Sequence, residues 1–151
     1  NMNLIKRFIF LAVLVFTIQG CSKDGDLYKD IDVFISEKSL VGFTKTPQGV
    51  YIKIDNEGSA QKPNPGSTVT IHYRGTLTNG KQFDSSYDRG APATFALGTL
   101  IQGWQIGIPY FGRGGKGTLI VPPNLGYGSR AQGDIPANSI LVFDIELINF
   151  Q

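Results

Sequence analysis

The segment Gly80-Lys81-Gln82-Phe83-Asp84-Ser85-Ser86 sets an aromatic ring beside a carboxylate just after a turn. Three later segments add aromatics: Gln102-Gly103-Trp104, Pro123-Asn124-Leu125-Gly126-Tyr127-Gly128 and Leu141-Val142-Phe143-Asp144. Residues suited to covalent catalysis are missing around them. The chain has 1 His and 1 Cys, no serine in an elbow motif, no glycine-rich phosphate loop ahead of a helix and no metal-ligand cluster. Hydrolytic and redox chemistry are therefore disfavoured, and neither a metal nor a cofactor is expected. Gly112 to Gly117 is glycine-rich but precedes a strand pattern, so it reads as a hairpin connection rather than a phosphate cradle. His72 alternates with core positions and reads as a surface residue. What is left is a set of aromatics with a few polar groups, the ordinary form of a small-ligand pocket. Each residue also has a plainer reading. Trp104, Phe143 and Tyr73 on their own read as core, and Asp84 ahead of two serines reads as a turn cap. Tyr127, between Gly126 and Gly128, is harder to place in a core.

The elements that must position these residues are mostly strands. Val50, Ile52 and Ile54 alternate with Tyr51, Lys53 and Asp55, and Val69, Ile71 and Tyr73 with Thr70, His72 and Arg74, which is the pattern of half-buried strands. Gly58 to Gly66, with Pro63 and Pro65, is a polar connection between them. Thr118 to Val121 and Ser139 to Phe150 supply two more strands, the second long enough to lie mid-sheet, with Leu141, Phe143, Ile145 and Leu147 on one face. A single helical candidate lies inside this region, around Leu100 to Ile108. Its Gly103 and Gly107 make it a poor helix in isolation, so packing through Trp104 must hold it. The expectation is an α+β domain, an antiparallel β-sheet curled around one short α-helix, over residues 48–151.

In order and spacing these segments resemble the FKBP-type peptidyl-prolyl cis-trans isomerases, across about two thirds of the chain. The resemblance implies a pocket for a proline ring, floored by Trp104 and walled by Tyr73, Phe83 and Phe143. It implies substrate contacts from Leu100 and Ile101, the Ile101 N–H holding a substrate carbonyl. Asp84 and Tyr127 match the family's polar pair, Arg89 a basic residue pairing with the carboxylate, Phe95 an aromatic behind it, and Ile135 an aliphatic on the loop over the pocket. The implied partners are proline-containing unfolded or partly folded polypeptides, with macrolide inhibitors as a further ligand class. Three departures from the family pattern stand out. Ala93 replaces a wall aromatic, so a wider pocket is expected on that side. Gly98-Thr99-Leu100-Ile101 is shorter than usual, and the loop Gly128 to Ile135 has no histidine and no second aliphatic at its tip.

The first third reads differently. Lys6 and Arg7 precede an apolar run from Phe8 to Ile18, the length of a signal-peptide core and well short of the ~20 residues a membrane span needs. Ile18-Gln19-Gly20-Cys21-Ser22 resembles a bacterial lipobox, which makes residues 1–20 a lipoprotein signal peptide and Cys21 the lipidated residue. The alternative is an ordinary secretory peptide that leaves a free thiol, an uncomfortable arrangement in an oxidising compartment. Residues 21–47 read as a tether, with apolar positions 27, 28, 31, 34 and 35 at the spacing of a short helix. That helix either covers part of the domain or pairs with another chain. The net charge is +2, and without Lys6 and Arg7 the remaining 12 basic residues equal the 12 acidic ones. No basic patch interleaves with aromatics, which argues against nucleic acid.

These readings converge on a prolyl isomerase acting as a folding helper on exported proteins, lipid-anchored in a bacterial cell envelope, with the outer membrane as its expected site. A non-catalytic module docking a proline-containing partner is the competing class. A carrier of a small hydrophobic ligand matches the composition but not the motif order.

Overall fold

The structure, a computed structural model, describes residues 30–151. The expected signal peptide, Cys21 and residues 26–29 of the expected tether helix lie outside the described residues. Two ten-residue strands, Thr68–Leu77 and Leu141–Phe150, pair antiparallel along nearly their whole length and form the middle of a seven-stranded sheet. In chain order the strands are β1 (Thr44–Lys45), β2 (Tyr51–Asn56), β3 (Thr68–Leu77), β4 (Gln82–Ser85), β5 (Ala93–Ala96), β6 (Gly115–Val121) and β7 (Leu141–Phe150). Across the sheet the order is β1-β2-β6-β7-β3-β4, and β5 pairs with the first half of β3. Every pairing is antiparallel. β7 thus lies mid-sheet, as its length and hydrophobicity predict.

Period two decides which face is covered. Along β7, Leu141, Phe143, Ile145 and Leu147 are buried, and they meet Ile71, Tyr73, Leu119 and Val121 in one core beneath the helix. Fully burying an aliphatic side chain of this size stabilises the fold by about 1.5–3 kcal/mol. The helix, α2 (Gln102–Gly107), is one residue shorter at its end than the sequence reading, because Pro109 has no N–H and the chain tightens into a 3-10 turn, Ile108–Tyr110. A second 3-10 turn, Leu97–Thr99, precedes it.

The tether helix, α1 (Ile31–Glu37), covers the opposite face of the sheet. It begins where Asp30, in extended backbone, accepts the Asp32 N–H at 2.7 Å. That cap starts the helix at Ile31. Ile31 and Phe34 pack with Tyr51, Ile120 and Ile140, and the Tyr51 hydroxyl donates to Asp32 at 2.7 Å. Residues 31–37 thus pack against the domain.

Three elements differ from the sequence reading. β1, β4 and β5 are two to four residues long, too short for alternation to register. Gly112 to Gly117 is no hairpin: it leads from the Ile108–Tyr110 turn into β6. His72 is half-buried, stacked on Tyr87 with centroids 4.5 Å apart and with Nδ1 2.9 Å from the Ser86 hydroxyl.

The glycines of α2 have a steric reason. A Cβ on Gly103 would stand 2.4 Å from Val121 Cγ1, and one on Gly107 would stand 2.8 Å from both Leu119 methyls. Alanine in a helix gains about 0.5–1 kcal/mol over glycine, but forcing a methyl into a packed core costs about 1–3 kcal/mol. The steric term is the larger, so Gly103→Ala is expected to lower the denaturant midpoint of unfolding. Pairing it with Val121→Ala, which makes room for the methyl, is expected to recover part of the loss.

Candidate functional site

The site begins with a glycine in β3. Gly75 pairs with Asp84 across to β4, and a Cβ there would stand 2.5 Å from the Phe83 ring. Absence of a side chain therefore lets Phe83 lie back over the strand, where it meets Phe143 edge-on at 5.6 Å. Tyr73, two residues before Gly75, lies on the same face and meets the edge of Trp104 at 5.2 Å. Trp104 also meets Phe143 at 5.3 Å and Phe95 at 6.2 Å, each nearly perpendicular. Such edge-to-face pairs stabilise by about 0.5–1.5 kcal/mol beyond their buried area. Three rings thereby fix the orientation of the indole, which is 4% exposed.

These rings floor and wall a cavity of about 500 Å³. Of the eleven residues that the motifs assign to the pocket, ten line it: Tyr73, Phe83, Asp84, Phe95, Leu100, Ile101, Trp104, Tyr127, Ile135 and Phe143. Arg89 stands behind Asp84 and does not line the cavity. Ala93 packs in β5 against the core and is not a lining side chain, so the widening expected at that position does not arise there. Gln132, Gly133 and Asp134, from the loop carrying Ile135, complete the rim. The motifs gave them no role, because an exposed loop of polar residues carries no periodic signal.

The polar groups include one bond that the motifs did not foretell, from the Tyr73 hydroxyl to Asp84. Both Asp84 and Tyr127 line the cavity, and Arg89 pairs with the Asp84 carboxylate as the resemblance implies. Asp84 accepts the Tyr73 hydroxyl at 2.5 Å on Oδ2 and the Arg89 guanidinium at 2.5 Å on Oδ1, while Arg89 also donates to the Tyr73 hydroxyl at 2.8 Å. Sequence reading treated Tyr73 as wall alone; its register two residues from Gly75, opposite Asp84, is the signal that joins them. Nor does Asp84 cap a turn, since it stands within β4. Burial would raise the Asp84 pKa, but the hydrogen bonds from Tyr73 and Arg89 and the Arg89 charge outweigh it and hold the carboxyl below its ordinary value. Burial, reinforced by the bond to Asp84, pushes the Tyr73 hydroxyl up. Tyr127 is raised as well, by burial and then by the Asp84 charge. Both tyrosines are therefore neutral donors at physiological pH.

Three donors on lining residues have no protein acceptor among the described residues: the Ile101 N–H, the Tyr127 hydroxyl and the Trp104 Nε1–H, the last buried. Ile101 holds its backbone at φ −55° and ψ 148° ahead of α2, and its carbonyl, not its N–H, enters the helix by accepting from Trp104 and Gln105. The cavity thus offers an apolar bed for a ring and at least two donors for flanking carbonyls. No side chain in it is arranged as an activated nucleophile.

A curled antiparallel sheet over one short helix, with an aromatic cavity between them, defines the FKBP-like class of domain. The chain belongs to the FKBP-type peptidyl-prolyl cis-trans isomerase family, whose sequence signature matches residues 59–148. It is 50% identical over 113 residues to the FKBP-type peptidyl-prolyl cis-trans isomerase FkpA of Buchnera aphidicola subsp. Schizaphis graminum, covering 74% of this chain and 45% of that protein. It is 49% identical over 104 residues to a peptidyl-prolyl cis-trans isomerase of Schizosaccharomyces pombe, covering 66% of this chain and 93% of that protein. Among solved structures, FkpA from Escherichia coli superposes with a TM-score of 0.75 at 36% identity, over 80% of this chain and 57% of that one. AtFKBP13 gives 0.67 at 41% identity, over 72% and 98%. The chain spans less than half the length of the FkpA relative from Buchnera.

Asp84 contributes stability that is fully present above the unfolded carboxyl pKa of ~3.9 and is lost as pH falls through its lower folded value. Tyr73→Phe removes one donor, so the Asp84 carboxyl titration followed by carbon NMR is expected to move toward the ordinary value. An unmoved titration would mean that the Tyr73 bond does not hold the carboxylate.

Proposed function

We propose that the protein is a peptidyl-prolyl cis-trans isomerase acting on proline-containing segments of unfolded or partly folded polypeptides. The observation that carries this reading is the cavity itself: an aromatic bed whose donors at Ile101 and Tyr127 have no partner among the described residues, and whose lining holds no activated nucleophile. Rotation about an X-Pro bond crosses a barrier of about 18–20 kcal/mol because it breaks amide resonance, and takes roughly 10–100 s unaided. The planar amide is more polar than the twisted one. Moving it from water into an apolar cavity therefore destabilises the planar form more, and each tenfold acceleration requires about 1.4 kcal/mol of such difference. The proline ring rests on Trp104 between Tyr73, Phe83 and Phe143. The Ile101 N–H and the Tyr127 hydroxyl hold flanking carbonyls, so only the prolyl bond turns. Asp84, kept ionised by Tyr73 and Arg89, sets the polarity of the wall and orients Tyr73; it transfers no proton. The same cavity is the site at which a macrolide inhibitor would compete.

Exchange of cis and trans resonances of a short Leu-Pro peptide, followed by NMR, tests the assignment. The chain is expected to accelerate exchange. Tyr127→Phe, which removes one hydrogen bond worth about 0.5–1.5 kcal/mol, is expected to reduce kcat/KM roughly two- to tenfold. A folded chain that binds the peptide without accelerating exchange would make the domain a docking module instead.

The export part of the proposal rests on the sequence alone. Lys6, Arg7 and the apolar run to Ile18 direct the chain out of the cytoplasm, and lipid on Cys21 anchors it in the cell envelope, at the outer membrane, where exported proteins fold. More than one acyl chain is needed for stable anchoring. Expressed in a bacterium fed radiolabelled palmitate, the full chain is expected to take up label and sediment with membranes, and Cys21→Ser to do neither.

A further inference from the structure

The cavity lining carries an uneven charge. Two carboxylates, Asp84 and Asp134, face it, and among the described residues no lysine or arginine does. Their cations stand outside the lining: Arg89 on Asp84 at 2.5 Å and Lys81 on Asp134 at 3.4 Å. The two pairs differ in kind. Asp84 is gripped on both oxygens, by Tyr73 and by Arg89, and its charge is compensated in place. Asp134 has a looser partner, and the side chains of the pair are 72% and 55% exposed.

Backbone geometry nonetheless fixes where Asp134 stands. Gln132 and Ile135 exchange hydrogen bonds of 2.9 and 2.8 Å, with Gly133 at φ +53° between them. Ile135, 6% exposed, is anchored in the core. The turn therefore holds Asp134 at the tip, over the cavity mouth. Arg130, on the same loop, lines no part of the cavity. A polypeptide whose proline enters the cavity must pass its neighbouring residues across this rim, and a basic side chain there can exchange with Lys81 as the partner of Asp134.

We propose that Asp134 is a specificity-determining residue, which favours polypeptides with lysine or arginine beside the proline and disfavours aspartate or glutamate there. The inference rests on the isomerase reading above and concerns the substrate class of the same site. Lys81 tempers the preference by occupying the carboxylate. Exposed charge pairs support only modest discrimination, so the expected preference is roughly two- to fivefold in kcat/KM. It is expected to fade as salt rises, because the screening length shrinks from ~10 Å at 0.1 M to ~3 Å at 1 M.

The test measures NMR exchange for two peptide sets, with Lys, Leu or Glu placed before the proline in one and after it in the other, at low and high salt. The native chain is expected to prefer Lys over Glu in at least one set at low salt and to lose that preference at high salt. Asp134→Asn is expected to erase the Lys-to-Glu ratio, Asp134→Lys to invert it, and Lys81→Gln to increase it. Equal rates for Lys and Glu in both sets, or a ratio that Asp134→Lys leaves unchanged, would overturn the specificity role while leaving isomerisation intact. Failure to accelerate any of the six peptides would overturn the isomerase reading, and the specificity role with it.

Discussion

Gly103 and Gly107 allow α2 to lie against Val121 and Leu119 of β6 at a distance that no side chain at either position permits. From that close approach the cavity follows. A helix held this near the sheet carries Trp104 into the middle of the concave face, where Tyr73 from β3, Phe143 from β7 and Phe95 from β5 meet its ring edges. The indole is thereby fixed by three different strands, and the residues just before it, Leu100 and Ile101, are delivered to the rim with the Ile101 N–H left over. A weak helix former is thus used where a strong one would push the floor of the site away from its walls.

A second glycine acts at the other wall. Gly75 makes room for Phe83, and the adjoining register brings Asp84 within reach of Tyr73. The outcome is a carboxylate held ionised at the edge of an apolar space without a buried, unpaired charge. Such a charge would be costly to leave alone. The network uses an exposed arginine, which keeps Asp84 partnered while leaving the cavity surface free of cations. Polarity in the wall and apolarity in the floor are the two properties that prolyl rotation requires of a non-covalent catalyst.

Much of this was legible in the sequence where a long element or a spaced motif carried it. The alternation in residues 69–74 and 139–150 gave β3 and β7, because burial imposes period two, whereas the ten lining residues were implied by the resemblance to the FKBP-type isomerases. Short elements were not legible. β4 and β5 are held by pairing to β3 rather than by their own pattern, so Asp84 looked like a turn residue although it lies in a strand. The Tyr73–Asp84 bond depends on register, which a single sequence does not display. The rim residues Gln132 to Asp134 depend on a turn whose hydrogen bonds are local to the fold. The start of α1 at Ile31 has a plain reason: the Asp30 side chain caps it.

The central claim is that one apolar cavity takes the prolyl bond and that its rigid floor and two free donors bear on the rotating amide. Amide and indole NMR shifts, recorded while a Leu-Pro peptide is titrated into the chain under conditions where its cis/trans exchange is also followed, test this most directly. The account predicts that shifts concentrate at Ile101, the Trp104 indole and Tyr127 and saturate together with the acceleration of exchange. Accelerated exchange with those signals unmoved, or shifts confined to the outer face around His72 and Tyr87, would contradict it.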